Sequence, residues 1–153
     1  MKHKLRCYLA GSVAHLTWDE AMRWRRAFAG RLRRAGFEPL IPCEAEKVAR
    51  NNGPMVAADS TAPGCSNQEI FARDLNMLWD ADVVVANLRG AERASLGTAW
   101  ELGWAYSNGV PIIAVVQPGD LHWHAFIIQS CTIVPTLDAA MRELKVLQKE
   151  RSR

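Results

Sequence analysis

The run Ala81-Asp82-Val83-Val84-Val85-Ala86-Asn87, followed by Ser95-Leu96-Gly97-Thr98-Ala99-Trp100-Glu101-Leu102-Gly103, constrains the fold of this chain more than any other feature. Val83 to Ala86 is apolar without alternation, which is the pattern of a parallel strand covered on both faces. The second run reads as a helix. Ser95 is a good N-cap, and Gly97 and Gly103 strip side chains from two of its turns. Glu101 lies between those glycines, where packing gives no reason for a carboxylate. The two runs together predict a helix-borne carboxylate at the mouth of a sheet, with something meant to lie close to Glu101.

Similar punctuation recurs along the chain. Leu5 to Ala10 reads as a strand ending at Gly11-Ser12, and Trp18 to Ala35 as an amphipathic helix closed by Gly36. A strand over Phe37 to Ile41 follows. Asn67 to Trp79 is helical by period, with Ile70, Leu75 and Leu78 as its buried positions. After the Glu101 helix, which stops at Asn108-Gly109, come a strand over Val110 to Val116, a helical turn over Trp123 to Gln129, a strand over Thr132 to Val134, and a helix capped by Thr136. Strands alternating with helices predict an α/β, doubly wound, flavodoxin-like sheet of five parallel strands with helices on both faces. Ligands of such sheets bind beyond the carboxyl ends of the strands, here Gly11-Ser12, Pro42-Cys43, Asn87 and Gln117. Glu44 to Ser66, with its Asn-Asn-Gly-Pro and Ala-Pro-Gly turns, reads as a loop long enough to be functional.

Length and composition narrow the function classes. The 153 residues suit one domain, 1–153, with a substantial core. The formal charge of +3 comes mostly from Arg23, Arg25, Arg26, Arg31, Arg33 and Arg34 and from the C-terminal tail. Arginines at helical spacing on an amphipathic segment predict a solvated face, and the basic tail has no interleaved aromatics, so no nucleic acid polymer is expected as partner. Cys7, Cys43, Cys65 and Cys131 are widely spaced and read as reduced thiols. His122 and His124 have no third ligand in register, so no metal site is expected. The apolar stretch after Met1-Lys2-His3-Lys4 is too short for a secretion signal, and nothing approaches a membrane span; the expectation is a cytoplasmic protein with no membrane partner. The glycine fingerprints of dinucleotide and nucleoside triphosphate sites are both missing, and no cofactor is expected.

Three short motifs occur in order: Tyr8-Leu9-Ala10-Gly11-Ser12 at the first strand end, Asp74-Leu75-Asn76 ahead of the Val83 strand, and Ser95-Leu96-Gly97 with Glu101-Leu102-Gly103. In these the chain resembles the nucleoside 2-deoxyribosyltransferase superfamily, which includes nucleotide N-hydrolases and CMP N-glycosidases. The resemblance implies that Glu101 is the nucleophile at the anomeric carbon, that Asp74 assists the departing base, and that Tyr8 orients the glutamate. Gly11, Ser12, Asn87, Ser95 and Gly97 would bind substrate, and His124 matches the place where family members donate a polar residue to a neighbouring subunit's site. A homodimer or higher homo-oligomer with a shared site follows. The chemistry agrees: breaking an N-glycosidic bond builds positive charge on the sugar and negative charge on the base, and two carboxyl groups with opposed tasks meet both needs.

Ser95 departs from the free-nucleoside transferases, which commonly carry aspartate at that place. A serine at a helix N-terminus favours a 5'-phosphate where an aspartate would repel it, so a nucleoside monophosphate is the expected substrate. Family members with that substrate often have a basic residue after the glycine-serine turn; Val13-Ala14-His15 stands there instead. The alternatives are base exchange on free deoxynucleosides and a non-catalytic nucleotide sensor. Other readings are structural: Asp82 as a ligand of loop amides, and the tryptophans as core or interface anchors, with Trp18 near enough to the first strand end to stack on a base.

Overall fold

The computed structural model describes residues 4–44, 53–60 and 62–152. The elements run β1 (Arg6–Gly11), α1 (Trp18–Arg34), β2 (Glu38–Leu40), α2 (Asn67–Asp80), β3 (Val83–Asn87), α3 (Leu96–Ser107), β4 (Ile112–Val115), α4 (Ala125–Ser130), β5 (Thr132–Val134) and α5 (Leu137–Glu150). The strands form one sheet in the order β2-β1-β3-β4-β5, and every neighbouring pair is parallel. This is the doubly wound, flavodoxin-like α/β architecture expected from the sequence. Winding reverses between β1 and β3, so their carboxyl ends frame the crevice where such sheets take ligands.

Alternation along β1 divides the core. Cys7 and Leu9 pack with Met22, Phe28 and Leu32 of α1 and Leu144 of α5. Tyr8 and Ala10 face the other layer, with Leu78 of α2 and Leu102 and Ala105 of α3. Local chemistry sets the helix starts. Thr17 with Glu20 and Ser66 with Glu69 form capping boxes, and Ser95 and Thr136 accept from the backbone N–H groups of Thr98 and Ala139. Gly36 and Gly109 adopt positive φ of 87° and 70° just beyond α1 and α3, a conformation that disfavours any side chain.

Three expectations are corrected. Of the residues expected to be buried on α2, only Leu78 is; Ile70 and Leu75 are half-buried, because that face of the helix borders a cavity instead of the sheet. Arg25 is not part of a solvated arginine face but is 0% exposed. Trp18 is buried, and its indole N–H donates to the Cys43 carbonyl at 2.8 Å, so the ring belongs to the core and not to a base-stacking surface. The loop expected over Glu44 to Ser66 has no α-helix or strand among its described residues beyond a bridge from Pro54 to Thr17, and residues 45–52 and 61 lie outside the described residues. Among the described residues, no helix is long and apolar enough to cross a membrane.

Candidate active site

Tyr8 points from β1 into the α2–α3 layer, fully buried, and its hydroxyl donates to Glu101 Oε1 at 2.7 Å. Burial pushes the Tyr8 phenol well above its usual range, and the Glu101 and Asp74 charges push it further, so it stays protonated and acts as a donor. Glu101 sits on α3. Burial raises its pKa to about 7, against the Tyr8 hydrogen bond, which favours the ionised form; the Asp74 charge raises it and the Arg25 charge lowers it. A carboxyl group poised near neutrality can exist as carboxylate or acid with little energetic penalty, which is the condition for chemistry at pH 7.

Glu101 borders a cavity of about 330 Å³ whose other walls include Asp74, Ile70, Phe71, Gly97 and Trp100. Phe71 and Trp100 meet edge to face, with centroids 5.4 Å apart. Ala57 and Ala58 from the described part of the long loop close one side. The space therefore has apolar and aromatic walls with two carboxylates, a composition suited to a flat base and the sugar it carries. A Cβ built at Gly97 meets nothing within 4 Å, so no packing of this chain requires that glycine; it leaves the cavity wall low.

Arg25 supports the site from the opposite face of the sheet. Its guanidinium donates to the carbonyls of Leu9, Ala21 and Gly11 at 3.2, 2.6 and 2.7 Å. Sequence reading missed it, although a signal was present. Ala21, Met22, Phe28, Ala29 and Leu32 form the buried stripe of α1, and Arg25 falls on that stripe by spacing. Gly11 is held close by the same group: a Cβ there would lie 3.1 Å from the Asn87 carbonyl oxygen, 3.2 Å from the Trp24 ring and 3.3 Å from the Arg25 guanidinium.

The expected site residues do not all share one cavity. Tyr8, Asp74, Gly97 and Glu101 come together. Gly11 and Asn87 are paired at the ends of β1 and β3, and Asn87 and Ser12 border a second cavity of about 230 Å³. Ser95 and His124 border a third space, a groove of about 780 Å³ between α3 and α4 that also includes Gly103. Ser95 is held there by three contacts: its N–H donates to His122 Nε2 at 3.0 Å, its Oγ accepts from the Thr98 N–H, and its hydroxyl donates to Thr98 Oγ1 at 2.9 Å. His124 caps α4, with Nδ1 accepting from the Phe126 N–H at 3.3 Å. Asp82 lies at the other rim of the sheet, bonded to the Arg6 N–H at 2.8 Å and to Arg151 at 3.1 Å, a structural role. No group of three or more His, Cys, Asp or Glu residues fit to hold a metal ion occurs among the described residues.

The family described as nucleoside 2-deoxyribosyltransferase matches residues 7–141. A 5-hydroxymethyl-dUMP N-hydrolase of Rattus norvegicus is 34% identical over 114 residues, which span 72% of this chain and 60% of the rat protein. The fold is shared with a 2-deoxyribosyltransferase from Bacillus psychrosaccharolyticus, at a TM-score of 0.63 and 22% identity over 88% of this chain and 89% of that one. It is shared also with a CMP N-glycosidase of Clostridium botulinum, at a TM-score of 0.57 and 17% identity over 93% and 98% of the two chains. With the family match covering most of its length, the chain belongs to the nucleoside 2-deoxyribosyltransferase family.

Proposed function

We propose that this protein cleaves the N-glycosidic bond of a nucleoside 5'-monophosphate and releases the base, with Glu101 as nucleophile. The observation that carries this reading is the Tyr8–Glu101 hydrogen bond of 2.7 Å beside a cavity that Asp74 shares. A Glu101 carboxylate oxygen attacks C1' of the sugar, and the bond pair of C1'–N leaves with the base. Asp74 lies on the cavity wall to hold the base and supply its proton as negative charge grows there. Water then attacks C1' of the glycosyl ester, its proton passing to the Asp74 carboxylate, and the C1'–O bond pair returns to Glu101 as free carboxylate. Tyr8 fixes the carboxylate's orientation throughout. The rat relative, named as an N-hydrolase of a nucleotide, supports hydrolysis and a nucleotide substrate over base exchange on free nucleosides.

The same reading includes assembly of copies of the chain. The groove between α3 and α4 is lined mainly by apolar residues, and Leu96 at 84% and Phe126 at 80% exposure stand at it. A second copy covering that face would hide this surface and bring polar groups such as His124 to a shared site.

The decisive experiment measures base release from a panel of ribo- and deoxyribonucleoside monophosphates and the matching free nucleosides, with wild type and Glu101→Gln. Base release from at least one monophosphate, abolished in Glu101→Gln, is expected. Wild-type turnover in Glu101→Gln would remove the nucleophile assignment, and transfer to an added base without release of free sugar phosphate would assign the exchange reaction instead.

A further inference from the structure

Two helix starts of this chain are closed by their own glutamates, and the start of α3, which carries Glu101, is not. The Thr17 N–H donates to Glu20 Oε2 at 2.8 Å and the Ser66 N–H to Glu69 Oε2 at 3.0 Å, each glutamate being the third residue of its helix. In α3 that place is held by Thr98, which is buried, so a carboxylate there would be desolvated and one turn from Glu101. The Ser95 N–H finds its acceptor elsewhere, in His122 Nε2 on the loop after β4, at 3.0 Å. Because Nε2 accepts, the neutral ring carries its proton on Nδ1. His122 is 7% exposed, and Nδ1 is buried with no hydrogen-bond partner among the described residues. An apolar side chain would avoid that unsatisfied group, so packing gives no reason for the imidazole, whereas the bond to Ser95 does.

The N-terminal half of α3 needs such a tether. Leu102 and Ala105 bury the later turns, but before them only Thr98 is buried, and Leu96, Gly97, Ala99 and Trp100 are exposed. Gly97 lowers the helix propensity of this turn further. A helix start with so little buried apolar surface opens easily. The loop that bears His122 is fixed, by contrast. Asp120 Oδ2 accepts from the Gln117 N–H at 2.9 Å and lies 2.8 Å from Arg89 Nε, and the Asp120 carbonyl accepts from the Trp123 N–H at 3.0 Å. His122 Nε2, the Ser95 N–H and the Ser95 and Thr98 hydroxyls, 2.9 Å apart, thus form one chain from that loop into the first turn of the helix that carries Glu101.

We propose that His122 is a positioning residue of the Glu101 site: its neutral Nε2 closes the start of α3 from outside the helix and so holds Glu101 against Tyr8. For turnover this rests on the N-glycosidase reading above. A ring that gains a proton at Nε2 no longer accepts, and it sets a positive charge against both the Ser95 N–H and the positive end of α3. The titratable and charged groups on the elements that meet the ring are Asp120 and His124 of its own loop, Arg89, Glu92 and Arg93 of the loop before α3, and Glu101 and Tyr106 of α3; α4 has none. Burial holds the imidazole below its ordinary range, and Asp120 acts against that by favouring the charged ring. His122 therefore accepts at neutral pH and lets go only in acid, below the range in which Glu101 titrates.

The test compares the full chain with His122→Gln, whose side-chain amide oxygen accepts without titrating, and His122→Leu, which accepts nothing. Two readouts need no turnover: hydrogen exchange of the Ser95 amide, as protection relative to an unstructured amide, and the Glu101 pKa from carbon NMR of its carboxyl group. The third is kcat and KM for base release across the pH range. In wild type the Ser95 amide should be protected above pH 6.5 and lose protection in acid below it. His122→Gln should stay protected throughout, and His122→Leu should lack protection throughout. His122→Leu should also show a higher Glu101 pKa, as the Tyr8 bond weakens, and a kcat lower by about 3- to 10-fold at neutral pH with KM little changed. Below about pH 7 kcat/KM falls with Glu101 in wild type and His122→Gln alike, and wild type alone should lose a further factor of that size in acid. Ser95 protection or a Glu101 pKa unchanged in His122→Leu overturns the proposal. So does a His122→Gln that behaves as His122→Leu, which would make the shape of the ring the cause. If His122→Leu does not fold, wild type against His122→Gln decides, and the same acid loss of protection in both overturns the proposal. If wild type releases base from no nucleotide, the N-glycosidase reading fails by itself. Ser95 protection and a Glu101 pKa that both follow the acceptor then still support positioning by His122, and either one that does not follow it overturns that too.

Discussion

The Tyr8 hydroxyl and Glu101 Oε1, 93 positions apart in sequence, are joined by a 2.7 Å hydrogen bond between a buried strand and a cavity-facing helix. The bond favours the charged carboxylate, yet burial outweighs it and leaves the Glu101 pKa at about 7. A nucleophilic carboxylate acts ionised, so kcat/KM for base release should fall as pH drops below about 7. Tyr8→Phe removes the donor, raises the Glu101 pKa and shifts this acid limb upward, with a loss of about 10- to 100-fold at neutral pH. pH–rate profiles of the two proteins check this. An acid limb that stays in place in Tyr8→Phe would mean that a group other than Glu101 sets it.

The same raised pKa has a stability consequence. Between the ordinary value of 4.5 and about 7, the folded protein binds the Glu101 proton more tightly than the unfolded chain does. The stabilising contribution is therefore fully present below pH 4.5 and is lost as pH rises through about 7. Glu101→Gln carries no charge to desolvate, so it should be inactive yet more stable than wild type above neutrality, by about 1–3 kcal/mol. Thermal melts at pH 8 and pH 5 measure the difference, which should shrink at the lower pH. A variant less stable than wild type at pH 8 would contradict the burial cost assigned to the ionised group.

Asp74→Asn tests the other carboxylate. Its proposed help grows as the leaving base gains charge, so the substitution should lower kcat by about 100-fold or more and change KM little. Bases that leave readily as anions should suffer least. A change confined to KM would make Asp74 a positioning residue and assign the proton to another donor.

Much of this was legible in the sequence because it followed from periodicity and punctuation. The unbroken apolar run of Val83 to Ala86 requires cover on both faces, and Ser95, Ser66, Thr17 and Thr136 mark helix starts by an oxygen the backbone needs. Glu101 stood out because a carboxylate between glycines has no packing role. Arg25 was lost because a run of arginines reads as one solvated face, whereas tertiary contacts separate one member from the rest: its buried guanidinium donates to the carbonyls of Leu9 and Gly11 on β1 as well as to that of Ala21. The contact of Arg93 with His15 was hidden for a related reason. His15 and Arg93 are 78 positions apart, and only the pairing of β1 with β3 brings their loops to one edge.

Leu96 is 84% exposed at the start of α3, and the groove it borders is mainly apolar. If copies of the chain assemble through this face, Leu96→Glu should shift the protein toward monomer, since it places unpaired charges where apolar surface would be buried. Light scattering at micromolar concentration reads the mass, and base release reads whether the partner completes the site. A wild-type protein that is monomeric and fully active would remove assembly from the proposed mechanism.

Arg25 separates support from chemistry. Arg25→Met keeps most of the side-chain length but removes the donors to Leu9, Ala21 and Gly11, so unfolding should become easier by roughly 2–4 kcal/mol. Loss of the positive charge also raises the Glu101 pKa, because that charge favours the carboxylate, and the acid limb of the pH–rate profile should move up. Arg25→Lys keeps the charge without the planar fork, which alone spans carbonyls on two elements. It should therefore return the acid limb toward its wild-type position while leaving much of the stability loss in place. Urea unfolding and pH–rate profiles of both variants resolve the two effects. If the acid limb tracks stability in both variants, instead of tracking charge, Arg25 acts on Glu101 only through the packing of β1 and α1.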